Sequence, residues 1–292
     1  MKYTLNKGDI TVVCSTFGAE LVSLMKNGKE YIWQGDPKYW NGQNPILFPV
    51  LCSLKDGKVT IAGESFEIRK HGFARKSEFD LNELTEDSVS FILRESEETL
   101  KVYPFKFDFI VRHTVTDSGF ITSFEICNRS DETMYFHLGG HTGINIPFDG
   151  KYKFEEHSVV FETTEYATNY KAPGGALIVD PEGDHDVIYG SDRISLTYEM
   201  FANDALMLSG LKSKNVSLLD PDGKGVKMDI SGFKALGIWT PSSINSPFLC
   251  IEPWNGLPAF VNETGRFEDK PFALSLEPGK KYETSYSLCI ID

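Results

Sequence analysis

The segment Phe105-Lys-Phe-Asp-Phe-Ile-Val-Arg-His-Thr-Val-Thr116 decides the class of fold. Phe105, Phe107, Phe109, Val111, His113 and Val115 alternate with Lys106, Asp108, Ile110, Arg112, Thr114 and Thr116, so one face is mostly apolar and the other mostly polar. That period of two belongs to a strand, whose successive side chains point to opposite faces; a helix repeats its apolar residues three and four apart. Outward from this segment, β-rich runs recur at Ile10–Cys14, Phe79–Leu84, Val89–Leu93, Phe120–Cys127, Ser158–Phe161, Val216–Leu219, Lys227–Ile230 and Tyr282–Ile291, separated by Gly, Asn, Asp or Ser turns. At least ten strands are expected in all. Helical signals are scarce: Ser96, followed by Glu97, Glu98 and Leu100, caps one short turn that Pro104 limits.

The chain has 292 residues, the upper end for one domain, and carries no internal repeat, low-complexity tract or linker. Many strands, few helices and an even composition predict an all-β protein, a large twisted antiparallel β-sandwich that fills residues 1–292 as one domain.

With 29 Lys+Arg against 42 Asp+Glu the formal charge is −13, a field that repels nucleic acid and anionic lipid. The opening MKYTLNKGDI lacks the apolar core of a signal peptide, and no window approaches the ~20 apolar residues of a membrane span. Five scattered cysteines (Cys14, Cys52, Cys127, Cys250, Cys289), with no CxxC pair, indicate neither a disulfide framework nor a zinc knuckle. The expected compartment is the reducing cytoplasm.

Three stretches carry candidate chemistry. In Tyr135-Phe-His-Leu-Gly-Gly-His-Thr-Gly-Ile-Asn-Ile-Pro147 an apolar strand runs into a glycine pair and His141, the pattern of a bulge or of a close approach to the main chain by a ligand; a glycine turn beside a core histidine fits equally. His137 and His141 have zinc-ligand spacing, but only on a helix, which Gly139 and Gly140 oppose, so no metal site is expected and His137 reads as structural. In Phe248-Leu-Cys-Ile-Glu252-Pro-Trp-Asn-Gly-Leu-Pro258 a carboxylate interrupts an apolar run. Burial would raise its pKa toward that of a general base; the alternative is a strand end with its head in water. In Lys70-His-Gly-Phe-Ala-Arg75, His71 and Arg75 offer donors suited to hydroxyl groups, or a solvated basic turn. Nucleotide-binding and acyl-enzyme motifs are missing. His113 belongs to the apolar face of its strand, and His157 and His185 read as residues of polar loops without a role.

Taken in order, Tyr31-Ile-Trp-Gln-Gly-Asp-Pro-Lys-Tyr-Trp40, Leu47-Phe-Pro-Val50, Leu54-Lys-Asp-Gly57, His71-Gly-Phe-Ala-Arg75, Tyr103-Pro-Phe105, Gly140-His-Thr-Gly-Ile-Asn145, Gly237-Ile-Trp-Thr240 and Cys250-Ile-Glu-Pro-Trp-Asn-Gly256 resemble the aldose 1-epimerase (galactose mutarotase-like) superfamily, in particular its LacX-like bacterial branch. The resemblance runs nearly end to end. It implies a supersandwich with an open cleft for an aldohexose and no metal or organic cofactor, and its partner is a small-molecule sugar. By motif, His141 is similar to the family's general acid and Glu252 to its general base. His71 is similar to a ring-contacting histidine, Arg75 stands where hexose-phosphate epimerases carry a basic residue, and Asp204 in Phe201-Ala-Asn-Asp-Ala205 resembles a hydroxyl-binding aspartate. One departure stands out: relatives carry Gly-Arg after the Leu-Phe-Pro segment, where this chain has Cys52-Ser53. Losing that charge-assisted hydrogen bond would cost about 1.5–3 kcal/mol unless Arg75 or Lys55 replaces it.

The expected chemistry is anomer exchange by acid/base ring opening, with Glu252 ionised and His141 protonated because each stabilises the other's charge. A carbohydrate-binding or regulatory protein that keeps the cleft without turnover is the alternative, and a hydrolase or lyase on the same sandwich a third. Neither the sugar nor the oligomeric state, monomer or homodimer, is legible.

Overall fold

The computed structural model describes residues 1–172, 178–181 and 188–292; His185 lies outside them. Its backbone is dominated by antiparallel sheets. A nine-stranded sheet runs in the order Ser191–Ser195, Ser158–Glu165, Asn215–Leu219, Gly225–Asp229, Lys281–Ile291, Gly119–Asn128, Phe107–Val115, Ser88–Arg94, Asp80–Leu84. A second sheet is ordered Thr168–Tyr170, Leu206–Ser209, Ala235–Trp239, Phe248–Asn255, Leu138–Gly140, Ile46–Leu47, and Thr142–Asn145 also pairs with Phe248–Asn255. The first four strands of the chain make a third sheet.

The alternation in the deciding segment is realised residue by residue. Phe107, Phe109, Val111, His113 and Val115 are buried and the intervening residues are not, with Val111 opposite Phe124 on one side and Phe91 on the other. Phe109 packs in a ring cluster with Phe48, Phe79 and Phe124, and each such fully buried side chain contributes about 1.5–3 kcal/mol. His113 is tolerated on this face because both ring nitrogens are satisfied, Nε2 by the Ala19 carbonyl at 2.8 Å and Nδ1 by Thr122 Oγ1 at 2.9 Å. The strand begins at Phe107 rather than Phe105, since the capped helix Glu97–Val102 and Pro104 precede it. His157, read as a loop residue, is buried against Phe148, with Nδ1 2.8 Å from the Lys153 carbonyl.

The second sheet positions the site. Along Phe248–Asn255 every residue is buried, so both faces are covered. Leu249 and Ile251 point into the main core with Leu236 and Ile238 of the neighbouring strand. Phe248, Cys250, Glu252 and Trp254 fall on the opposite face, because strand neighbours alternate. No helix among the described residues is long and apolar enough to cross a membrane.

Candidate active site

The strand register itself aligns the two principal candidates. Leu138 pairs with Asn255 and Gly139 with Trp254, and after a break the same register resumes with Thr142 opposite Ile251. His141, in the break, therefore falls opposite Glu252, and its Nε2 is 3.3 Å from Glu252 Oε1. Both side chains are buried.

The glycine pair has a different reason from the one expected. A Cβ on Gly139 would stand 2.8 Å from both the Pro253 carbonyl and Trp254 Cδ1, and one on Gly140 would stand 3.0 Å from the Tyr286 ring. Core side chains on the two faces, not a ligand, occupy the space that glycine vacates. Gly237, the register partner of Glu252, is constrained likewise: a Cβ there would lie 2.5 Å from Trp254 Cζ2. Trp254 is thus held between glycines on both neighbouring strands.

A cleft of about 300 Å³ opens over this face, and all five residues singled out by sequence line it: His71, Arg75, His141, Asp204 and Glu252, together with Lys70. Its volume suits one small ring. His71 arrives on a left-handed turn (φ 65°) and is locked to Cys52 from both sides. The His71 backbone N–H donates to the Cys52 carbonyl at 2.9 Å, and the Cys52 N–H donates to His71 Nδ1 at 3.1 Å. Nδ1 is therefore an acceptor, and the neutral ring carries its proton on Nε2 as a donor. The following Gly72 (φ 72°) is required, since a Cβ would lie 2.0 Å from the Phe48 carbonyl oxygen. Asp204 (φ 78°) caps the turn after Glu199–Phe201, just before strand Leu206–Ser209, and its Oδ1 accepts the Ala205 N–H at 2.8 Å.

Aromatic rings fix the imidazole of His141. Trp40 stacks on it at 4.8 Å between centroids and Trp239 meets it edge-on at 5.8 Å, while Nδ1 has no hydrogen-bond partner. His71 stands edge-on to His141 at 5.8 Å. Trp40 and Lys70 also line the cleft, and the sequence does not mark either, because a ring that clamps another side chain and a lysine in a basic turn leave no distinctive pattern.

Burial works against the charge state expected of the pair. Desolvation, then the Arg75 charge, holds His141 down to about 3. Desolvation and the neighbouring Asp204 push Glu252 well above the carboxylate range, only partly offset by Lys70. The mutual attraction invoked from sequence is outweighed because each ion would have to be stripped of water. Burial thus disfavours the charged form of each partner, and the two groups face each other across the Nε2–Oε1 contact. His71 is held well below its ordinary value by burial and by His141, Lys70 and Arg75.

The departure at Cys52-Ser53 also changes meaning. Cys52 lines the cleft, whereas Ser53 lines a separate depression of about 840 Å³ beyond the 69–73 segment, with Leu54, Arg69 and Phe73. Neither His141 nor Glu252 lines that larger depression. Of the two proposed substitutes for the missing arginine, Arg75 reaches the cleft, and Lys55 does not: its Nζ donates to the Val261 carbonyl at 2.8 Å. His137 stays outside the cleft, packed against Phe267 and accepting the Leu51 N–H.

A family profile described as aldose 1-epimerase matches residues 1–289. The chain belongs to the aldose 1-epimerase family. It is 34% identical over its full length, and that of the relative, to the chromosomal protein LacX of Lactococcus lactis subsp. lactis. Among solved structures it is similar to a galactose mutarotase related enzyme from Lactobacillus acidophilus, with a TM-score of 0.94 and 31% identity over 100% of this chain and 98% of the other. A galactose mutarotase-like protein from Lactobacillus casei gives 0.90 and 25% over 99% and 100%. The fold class of this aldose 1-epimerase family member is thus the galactose mutarotase-like sandwich expected from its sequence.

Proposed function

We propose that the chain interconverts the α and β anomers of a hexose or hexose derivative by acid/base ring opening, with His141 and Glu252 as the proton carriers. The observation that carries this reading is the 3.3 Å contact between His141 Nε2 and Glu252 Oε1 at the base of a ring-sized cleft. One member of the pair accepts the proton of the C1 hydroxyl while the other delivers a proton to the ring oxygen. The C1–O5 bond breaks, the C1 aldehyde rotates, and reclosure in the reverse sense restores both protons. The reaction needs one transferable proton on the pair and consumes none. Either distribution of that proton serves: the uncharged form differs from the ion pair only by its transfer across the contact, and a sugar hydroxyl bridging the two groups provides the path. His71 Nε2–H, Arg75 and Lys70 supply donors to sugar oxygens and Asp204 an acceptor.

Each acid/base group typically contributes about 10²–10⁴ in rate. Glu252→Gln should therefore lose at least ~10²-fold in anomerisation followed by polarimetry while keeping its fold. Undiminished catalysis by that variant would remove Glu252 from the mechanism. Calorimetric sugar binding by the unaltered protein without accelerated mutarotation would instead support a binding or regulatory protein.

A further inference from the structure

Cys250 has no part in the scheme above, yet it shares a strand face with Glu252 and Trp254. Its register partners are Gly143 on one side and Trp239 on the other, so the thiol lies beneath the aromatic wall that holds His141. Among the described residues, His141, Cys250 and Glu252 form the one group of three His, Cys, Asp or Glu side chains whose ligand atoms all lie within 4.8 Å of one another. All three are buried. A second observation concerns the histidine: its Nδ1 is buried without a hydrogen-bond partner, so the protein's own contacts leave that nitrogen unused.

We infer that His141, Glu252 and Cys250 form an inhibitory site for a borderline divalent cation of the Zn²⁺ type. One imidazole nitrogen, one carboxylate oxygen and one thiolate are the donor types such an ion takes in tetrahedral geometry, with the fourth position left to water or a sugar hydroxyl. Bonds of about 2.0–2.3 Å set tetrahedral donors roughly 3.3–3.8 Å apart, so the group closes by no more than an ångström or so around the cation. The hard cations Mg²⁺ and Ca²⁺, which require oxygen shells, are not expected to compete.

The protons balance simply. Binding expels the thiol proton and the transferable proton of the His141–Glu252 pair, and no electron is transferred. Because both proton carriers become ligands, the occupied protein cannot open a sugar ring. The inhibition rests on the mutarotase reading; the binding does not.

Co²⁺ serves as the probe, since a tetrahedral thiolate complex gives visible ligand-field bands and a near-ultraviolet thiolate-to-cobalt band. The unaltered protein should show both, and Zn²⁺ should bleach them. Cys250→Ser should lose the thiolate band, while Cys52→Ser, which alters the cysteine that lines the cleft, should keep it. If the serine variant does not fold, Cys250→Ala makes the same test. In polarimetry Cys250→Ser should retain activity and need at least tenfold more Zn²⁺ for half-inhibition. Absence of a thiolate band in the unaltered protein, its loss with Cys52→Ser instead, or equal Zn²⁺ sensitivity of the Cys250 variant would overturn the site. The absorption bands are read without any sugar, so a protein that binds cobalt through Cys250 but turns over no sugar refutes the catalytic reading alone.

Discussion

Gly237→Ala should move the indole that borders the acid/base pair. The added Cβ would stand 2.5 Å from Trp254 Cζ2, 2.7 Å from Cη2 and 3.0 Å from Cε2. Ordinary carbon contacts are about 3.5–4.0 Å, so the ring must shift by roughly an ångström. It has little freedom to do so: Trp254 is 1% exposed and its opposite edge lies against Gly139, where an added Cβ would meet Cδ1 at 2.8 Å. Overpacking of this kind costs about 1–3 kcal/mol, and each kcal/mol lowers Tm by about 2–4 °C in a chain of this size class. Because Trp254 borders the same cleft as Glu252, a misplacement of an ångström should also lower kcat/KM by tenfold or more. The decisive measurement is a double-mutant cycle. Trp254→Phe deletes the ring atoms that clash, so adding Gly237→Ala in that background should cost at least ~0.5 kcal/mol less than it does alone. Urea unfolding of the four proteins, with polarimetry on each, gives both quantities. Strict additivity would mean that the indole does not lie across Gly237, and the account of why glycine stands opposite Glu252 would fail.

The remaining predictions concern charge. His113 is held down to about 4 by burial, while an unfolded histidine titrates near 6.5, so below pH 6.5 the unfolded chain binds the extra proton and stability falls as pH falls toward 4. That one residue should remove about 2–3 kcal/mol between pH 7 and 4.5, and His113→Gln should flatten the urea-unfolding profile across that range; an unchanged slope would contradict the assignment. Arg75→Ala should weaken sugar binding by roughly ten- to hundredfold in calorimetry, the worth of a charge-assisted hydrogen bond, whereas Lys55→Ala should leave it unchanged. Equal effects of the two would reassign the cation that serves the cleft.

How much of this was legible varied with local pattern. Phe107–Val115 announces itself because one of its faces is buried and the other is not. Leu21–Lys26, Leu206–Ser209 and Ala235–Trp239 carry no strand signal in the sequence because burial on both faces erases the period of two. In the site, Glu252 stood out as a carboxylate in an apolar run and His141 by its glycines, while Trp40 and Lys70 carried no local sign of their position.

Residue order alone determined the strand-rich class and, through eight ordered motifs and the shorter Phe201–Ala205 match, which five residues line the cleft. Those properties are written in side-chain type and spacing, which a linear chain displays directly. The desolvation of His141 and Glu252, the real occupants of the space beside Gly139 and Gly140, and the arrival of Arg75 rather than Lys55 at the cleft were decided only by tertiary structure. Each depends on desolvation or contact between residues far apart in the chain, and water is excluded from a site only after the strands that carry it have paired.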